Sequence, residues 1–187
     1  MAVLSLLGEY EVSLDSKGRF RLPSGLLAQL SHPAGLEFVV NRGFEKCLTL
    51  FPKVVWDEVK KPVDALNLFD KKNRAFARYF YRGATELTPD SADRILIPKR
   101  LLEYAGAEKK LVLYCLRDRI EIWAEAEYER NFEEEEFDFS DLAQDVLGSS
   151  GSVTLSPATV VVASGAPAPV AGTPPHAPAT APTGNEG

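Results

Sequence analysis

The chain has 187 residues, a net charge of −6, 45% hydrophobic side chains, two cysteines and two histidines. That length holds one or two small domains. No ligand pair sits at metal spacing, which excludes a zinc site, and no run approaches the ~20 apolar residues needed to span a bilayer. The start, Met1 to Leu7, is apolar but short and lacks a basic beginning, so it does not read as a signal sequence and the expectation is a soluble, intracellular protein. Acidity looks wrong for a nucleic-acid binder until it is mapped. Glu121 to Asp145 holds eleven acids and one base, a net of −10, so the remaining residues sum to +4.

Gly8 to Leu14 alternates weakly, with Tyr10, Val12 and Leu14 on one side, as in a half-buried strand. Asp15-Ser16-Lys17-Gly18 follows as a hairpin turn: the aspartate can bond the backbone two residues on, and glycine supplies a positive φ. Arg19 to Leu22 forms the return strand, placing Phe20 and Leu22 inward and Arg19 and Arg21 outward. Pro23 stops pairing and fits the first turn of a helix over Ser24 to Leu30. A second strand pair, Glu37 to Asn41 and Cys47 to Phe51, completes a unit of the form β-β-α-β-β. Its Cys47, like Cys115 later, sits in an apolar run and reads as a reduced, buried thiol.

Helices follow. Val54 to Lys61 stops at Pro62, and Asp70 to Arg82 carries Arg74, Arg78 and Arg82 four apart. On a helix that is a basic stripe, read as a solvated or subunit-contacting face, while Phe76 and Phe80 are expected to dock on the sheets.

The unit then returns. Asp90-Ser91-Ala92-Asp93-Arg94-Ile95-Leu96-Ile97-Pro98 stands over Asp15 to Pro23 at a constant offset of 75, which also aligns Gly8 with Gly83 and Glu11 with Glu86. Strand 84–88, the turn, strand 94–97, helix 99–105 ended by Gly106, and strands 111–116 and 120–123 repeat the order. Cys47 to Phe51 aligns with Arg119 to Trp123 at an offset of 72. One such unit of about 45 residues has too small a core to stand alone, so the two copies must complete each other as a pseudo-dimer within the chain. A third helix, Glu125 to about Val146, is acidic, with Tyr128, Phe132 and Leu142 as its buried edge. From Ser149 onward the only charge is Glu186, and this Pro/Ala-rich stretch reads as a disordered tail.

Paired Asp-x-x-x-Arg turns, each running into an apolar-x-apolar-Pro segment, together with Arg74 to Phe80, Gly83-Ala-Thr-Glu86 and Ile120-Glu-Ile-Trp123, resemble the bacterial MraZ family over roughly Leu7 to Gly148. The resemblance implies an α+β fold, an intramolecular double swapped-hairpin barrel of the AbrB type. Its parts would be a first repeat (7–54), connecting helices (55–82), a second repeat (83–126), an acidic helix (127–148) and the tail (149–187). It further implies a cytoplasmic, nucleoid-associated regulator, most often a repressor. Such a protein forms homo-oligomeric rings on short direct repeats of double-stranded promoter DNA, ahead of the division and cell-wall gene cluster and its own gene.

Arg19 is the residue that this likeness assigns to DNA binding, and Lys17 and Arg21 cluster with it on and beside one turn. A two-stranded ribbon of that size fits a major groove, where arginine pairs with guanine and lysine holds phosphate. Asp15, Gly18 and Asp90 are read as turn-forming residues. In the second turn Ala92 and Asp93 stand where the family pattern has a Gln or Lys followed by Gly, so Arg94 is open to two readings, pairing within its turn or DNA contact. No cofactor, metal or small-molecule substrate is implied. His32 has no carboxylate partner nearby, and no Gly-rich phosphate loop is present, which argues against an enzyme. An antitoxin-like or assembly module of the same barrel, acting through protein contacts, is the competing reading. The fusion of two copies and a tail without apolar anchors weigh against it.

Overall fold

A computed structural model describes residues 5–30, 36–133 and 139–148. Residues 1–4, the segment 31–35 with His32, residues 134–138 within the expected acidic helix and the tail from Ser149 lie outside them. The first copy comprises β1 (Leu6–Ser13), β2 (Arg19–Arg21), α1 (Ser24–Leu30), β3 (Phe38–Arg42) and β4 (Leu48–Pro52). Three helices connect it to the second: α2 (Lys53–Val59), α3 (Lys61–Asp64) and α4 (Lys71–Phe80). The second copy runs β5 (Thr85–Leu87), β6 (Arg94–Leu96), α5 (Lys99–Ala105), β7 (Lys110–Arg117) and β8 (Arg119–Ala124), followed by α6 (Glu125–Glu133). A final helix, α7 (Phe139–Gly148), belongs to a separate unit, and its Leu142 is exposed rather than part of a buried edge.

The strand partners correct the hairpin expected from sequence. The turn itself closes, with Asp15 N–H donating to the Arg19 carbonyl at 2.7 Å and Gly18 N–H to the Asp15 carbonyl at 3.0 Å. Beyond it the two strands part. β1 pairs along its whole length, antiparallel, with β7, whereas β2 pairs with β6. Leu14 N–H already donates to Lys109, and Leu22 N–H to Asp93, each in the other copy. The physical reason lies in lengths: β2 spans three residues before Pro23 removes a donor, while β7 offers eight.

The exchange is reciprocal. β5, the second copy's opening strand, pairs with β3 of the first. The six-stranded sheet therefore runs β1-β7-β8-β4-β3-β5, an order that reads the same backwards once the copies are interchanged, and β2-β6 forms a separate two-stranded ribbon. The large sheet is open, with β1 and β5 at its edges, so its ladders do not close a barrel. The pseudo-dyad passes between Phe20 and Ile95, partners in the ribbon, and between Thr49 and Glu121, partners in the β4–β8 ladder.

One face of the sheet, the ribbon and helices α1 and α5 enclose the main core. Phe20, Leu22 and Leu26 meet their counterparts Ile95, Ile97 and Leu101 there, all essentially shielded from water. Each such side chain contributes about 1.5–3 kcal/mol by burial. The opposite face is covered too. Val39 and Phe51 pack under Trp56 of α2, and Val112 and Trp123 under Tyr128 of α6. Burial on both faces explains why the central strands read as apolar runs rather than alternating.

The helices depart from expectation at their ends. Pro62 does not stop a helix but sits near the start of α3, where its missing N–H is no loss. α4 is N-capped by Asp70 and ends at Phe80, leaving Arg82 beyond it. Phe80 does dock, stacking on Trp56 at 5.2 Å, yet α4 buries no residue fully and Phe76 is half exposed. Phe132 is also half exposed, although its ring meets Tyr128 at 4.6 Å.

Phe20→Ala should lower the unfolding free energy by about 3–5 kcal/mol, whereas Phe69→Ala, on an almost fully exposed side chain, should change it by less than about 0.5 kcal/mol. Urea denaturation of both variants checks the pair.

Candidate nucleic-acid interface

The first turn is organised by one carboxylate. Asp15 Oδ1 accepts from the backbone N–H groups of Lys17 and Arg19, both at 2.9 Å. Its Oδ2 takes Arg19 Nε at 2.7 Å and the terminal nitrogen NH2 at 2.6 Å. Gly18 carries the turn's positive φ of 80°, and a Cβ there would come within 3.1 Å of Leu102. The Arg19 hydrogen bonds hold the Asp15 carboxyl well below the usual range, at about 2.

The second turn repeats this geometry atom for atom. Asp90 Oδ1 accepts from Ala92 and Arg94 N–H, and its Oδ2 takes Arg94 Nε at 2.9 Å and NH2 at 2.8 Å. Hydrogen bonding from Arg94 likewise lowers the Asp90 carboxyl to about 2. Asp93 fills the position of Gly18 with a φ of 57°, a left-handed conformation that aspartate tolerates better than most residues. Asp93 also lies 3.8 Å from Arg21, an ion pair across the ribbon that sequence spacing gave no means of finding.

The pseudo-dyad brings the turns together. Arg19 NH1 stands 4.0 Å from Asp90 Oδ2, linking the two Asp–Arg pairs into a quartet. In the ribbon Arg19 opposes Leu96, and Arg21 opposes Arg94. Since Phe20 and Ile95 point into the core, Arg19, Arg21 and Arg94 stand on the outer side by strand alternation. Lys17 is exposed at the turn and, among the described residues, pairs with no acid. Asp15, Asp90 and Asp93 offset three of these four cations.

Each turn arginine keeps donors that the carboxylate of its own turn does not take. Its carboxylate takes Nε and one N–H of NH2, leaving the NH1 edge and the other NH2 proton. That edge is the two-pronged surface that guanine O6 and N7 accept, and the Asp pairing fixes the guanidinium plane in advance. The Arg74–Arg78–Arg82 stripe does not join this site. Arg74 instead donates to the Leu68 and Phe69 carbonyls at 2.8 Å, tying the start of α4 to its preceding loop.

Both cysteines are unpaired and buried, and burial pushes the Cys47 thiol up to about 12 and Cys115 to about 11, far from nucleophilic or metal-binding range. Among the described residues, no three metal-ligating side chains come together and no helix is long and apolar enough to cross a membrane.

The geometry defines a class: an α+β protein of two interleaved copies, with paired Asp–Arg turns around a central ribbon. The family model described as "MraZ protein, putative antitoxin-like" matches twice, over residues 5–79 and 80–149. The chain belongs to the MraZ family. It is similar to a protein of Christiangramia forsetii named transcriptional regulator MraZ, 40% identical over 148 residues, which are 79% of this chain and 96% of the relative. Relatives of the same name from Flavobacterium psychrophilum (38% identical, 78% of this chain and 93% of the relative) and Pediococcus pentosaceus (39%, 75% and 96%) match to a similar extent.

Both turn carboxyls titrate below their unfolded value of 3.8, so the turns' ion-pair stabilisation is complete above about pH 4 and fades as pH falls toward 2. Carboxyl-carbon NMR titration should place the midpoints of Asp15 and Asp90 near 2 and return Asp15 toward 3.8 in Arg19→Ala.

Proposed function

We propose that this protein is a non-enzymatic, sequence-specific DNA-binding regulator of transcription, acting in the cytoplasm on the nucleoid. Its reading element is the outer side of the β2–β6 ribbon. The observation that carries this reading is the pre-oriented Arg19 guanidinium beside the unpaired Lys17, presented with Arg21 and Arg94 on one narrow ribbon. Arg19 reads guanine, Lys17 and Arg21 hold phosphate, and Asp15, Gly18 and Asp90 shape the turns. In the second turn Asp93 draws on Arg21 and repels phosphate, which makes Arg94 the weaker contact.

Four cations against three acids leave one protomer with little net attraction for a duplex. A homo-oligomeric ring that presents several ribbons to tandem direct repeats offsets this by raising effective concentration. The reciprocal exchange of opening strands supports reading the fold as a swapped-hairpin arrangement. As the resemblance to the MraZ family implies, the target is the promoter of the division and cell-wall cluster, including the protein's own gene, and the outcome is repression. The antitoxin-like reading draws on the family description, but the built turn geometry favours DNA.

Arg19→Ala should weaken binding to duplex direct repeats by at least about tenfold, with circular dichroism unchanged. Retention of full affinity would remove the ribbon from the role of reader. Lys17→Ala should flatten the slope of log affinity against log salt by about 1 per protomer engaged. Asp93→Gly, which removes the anion beside Arg21, should tighten binding. Fluorescence anisotropy across a salt series measures all three.

A further inference from the structure

The duplication supplies an internal control, because each site in one copy has a counterpart on nearly the same backbone in the other. One pair of counterparts has diverged sharply. Beside the second copy's opening strand a pocket of about 270 Å³ opens between the end of β3 from the first copy, the residues before β5 and the start of α5. Three arginines line it: Arg42, Arg82 and Arg100. No acid lines it, and Thr85, Pro98 and Leu101 provide the rest of the wall.

The counterpart beside β1 is closed. Pairing of Thr85 with Val40 and of Tyr10 with Leu113 sets the equivalence: two residues on, Cys115 stands for Arg42, while Leu7 and Gly25 stand for Arg82 and Arg100 at the offset of 75. Tyr10 replaces Thr85. Its hydroxyl lies 3.1 Å from where a Cβ on Gly8 would be and 3.2 Å from one on Gly25, so the ring occupies the space. Gln29 then seals the polar groups, donating to the Tyr10 hydroxyl at 3.1 Å and to the Leu7 carbonyl at 2.9 Å. That closed site is satisfied without a guest.

The open one is not. Arg42 lies with its guanidinium carbon 4.4 Å from the centroid of the Tyr104 ring, which holds it in place, and its Nε is shielded from solvent with no hydrogen-bond partner. That shielded Nε is out of a guest's reach as it is of water's; three like charges brought together without an acid are what an anion would relieve. Gly83, with a φ of 90°, keeps its wall bare, because a Cβ there would come within 2.8 Å of Leu101. Three guanidinium forks exceed what the two oxygens of a carboxylate can satisfy, while a tetrahedral phosphate offers more acceptors and more charge. Pro98 and Leu101 can accept a carbon body attached to it.

We propose that Arg42, Arg82 and Arg100 form a phosphate-binding site, present beside the second copy's opening strand only, for a small phosphate ester or for a phosphate of a nucleic-acid backbone. Binding of a free ester does not depend on how the ribbon is read; binding of a nucleic-acid phosphate rests on that reading.

The test is calorimetric titration of the full chain with phenyl phosphate and with inorganic phosphate, in buffer free of other multivalent anions. One saturable site per chain is expected. It should weaken by about tenfold or more in Arg82→Ala and in Arg100→Ala, both on exposed side chains whose loss leaves the urea midpoint unchanged. Thr85→Tyr, which introduces the plug that Tyr10 forms in the other copy, should abolish it. A parallel DNA titration separates the sources. A salt slope reduced by about 1 in Arg82→Ala, with phenyl phosphate competing, assigns the phosphate to the nucleic acid; an unchanged slope with intact ester binding assigns it to a free ester. Binding of two equivalents, survival of binding in Thr85→Tyr, or neither phosphate binding nor a slope change would overturn the proposal.

Discussion

Phe20 and Ile95 face each other at the pseudo-dyad, where the two copies meet in the ribbon that carries both turns. Each belongs to a strand of three residues, too short to hold a ladder without support. Burial of the two side chains anchors the ribbon to the core, and the ribbon in turn fixes both Asp–Arg turns. The outward arginines are therefore positioned by an apolar contact on the other side of the same backbone. Alternation along the strand couples a hydrophobic decision on one face to a cationic display on the other.

The same coupling makes the copies inseparable. β1 and β5 each lie against the partner copy, so neither repeat retains its opening strand when the other unfolds. Helices α2 and α6 follow the fourth strand of their respective copies and cover the sheet's outer face, while α1 and α5 help close its inner one. The interleaving places a low-stability element, the three-residue ribbon, at the centre of the most heavily buried region. It is thus rigid where its length alone would make it fray.

Much of this was legible in the chain. The offset of 75 and the Asp, Gly and Pro punctuation located the strands, the turns and helices α1 and α5 of the two copies to within a residue or two, because turn chemistry is local. The helices outside the copies were less legible: α3 follows where a stop at Pro62 is expected, and α6 with α7 reads as one helix. Helix 99–105 with its Gly106 stop needed no tertiary information. Strand partnership was different. Asp15 to Gly18 looks like any hairpin turn, and only the competition between β2 and β7 for β1 decides that the flanking strands part company. Arg82 misled for a related reason: its spacing from Arg78 continues a helical stripe, but α4 ends at Phe80, and the side chain turns to a pocket assembled from distant segments. The Arg21–Asp93 pair was hidden likewise, since it exists only once the ribbon has formed.

Interleaving also carries an ancestral consequence. A unit whose first strand finds its ladder only in a second unit would, as a separate chain, need an identical partner, and any change would then be imposed on both halves. Joining the halves end to end lifts that restriction. Gly18 opposite Asp93, and Tyr10 opposite Thr85, record what followed: one inherited scaffold whose two sides were free to specialise.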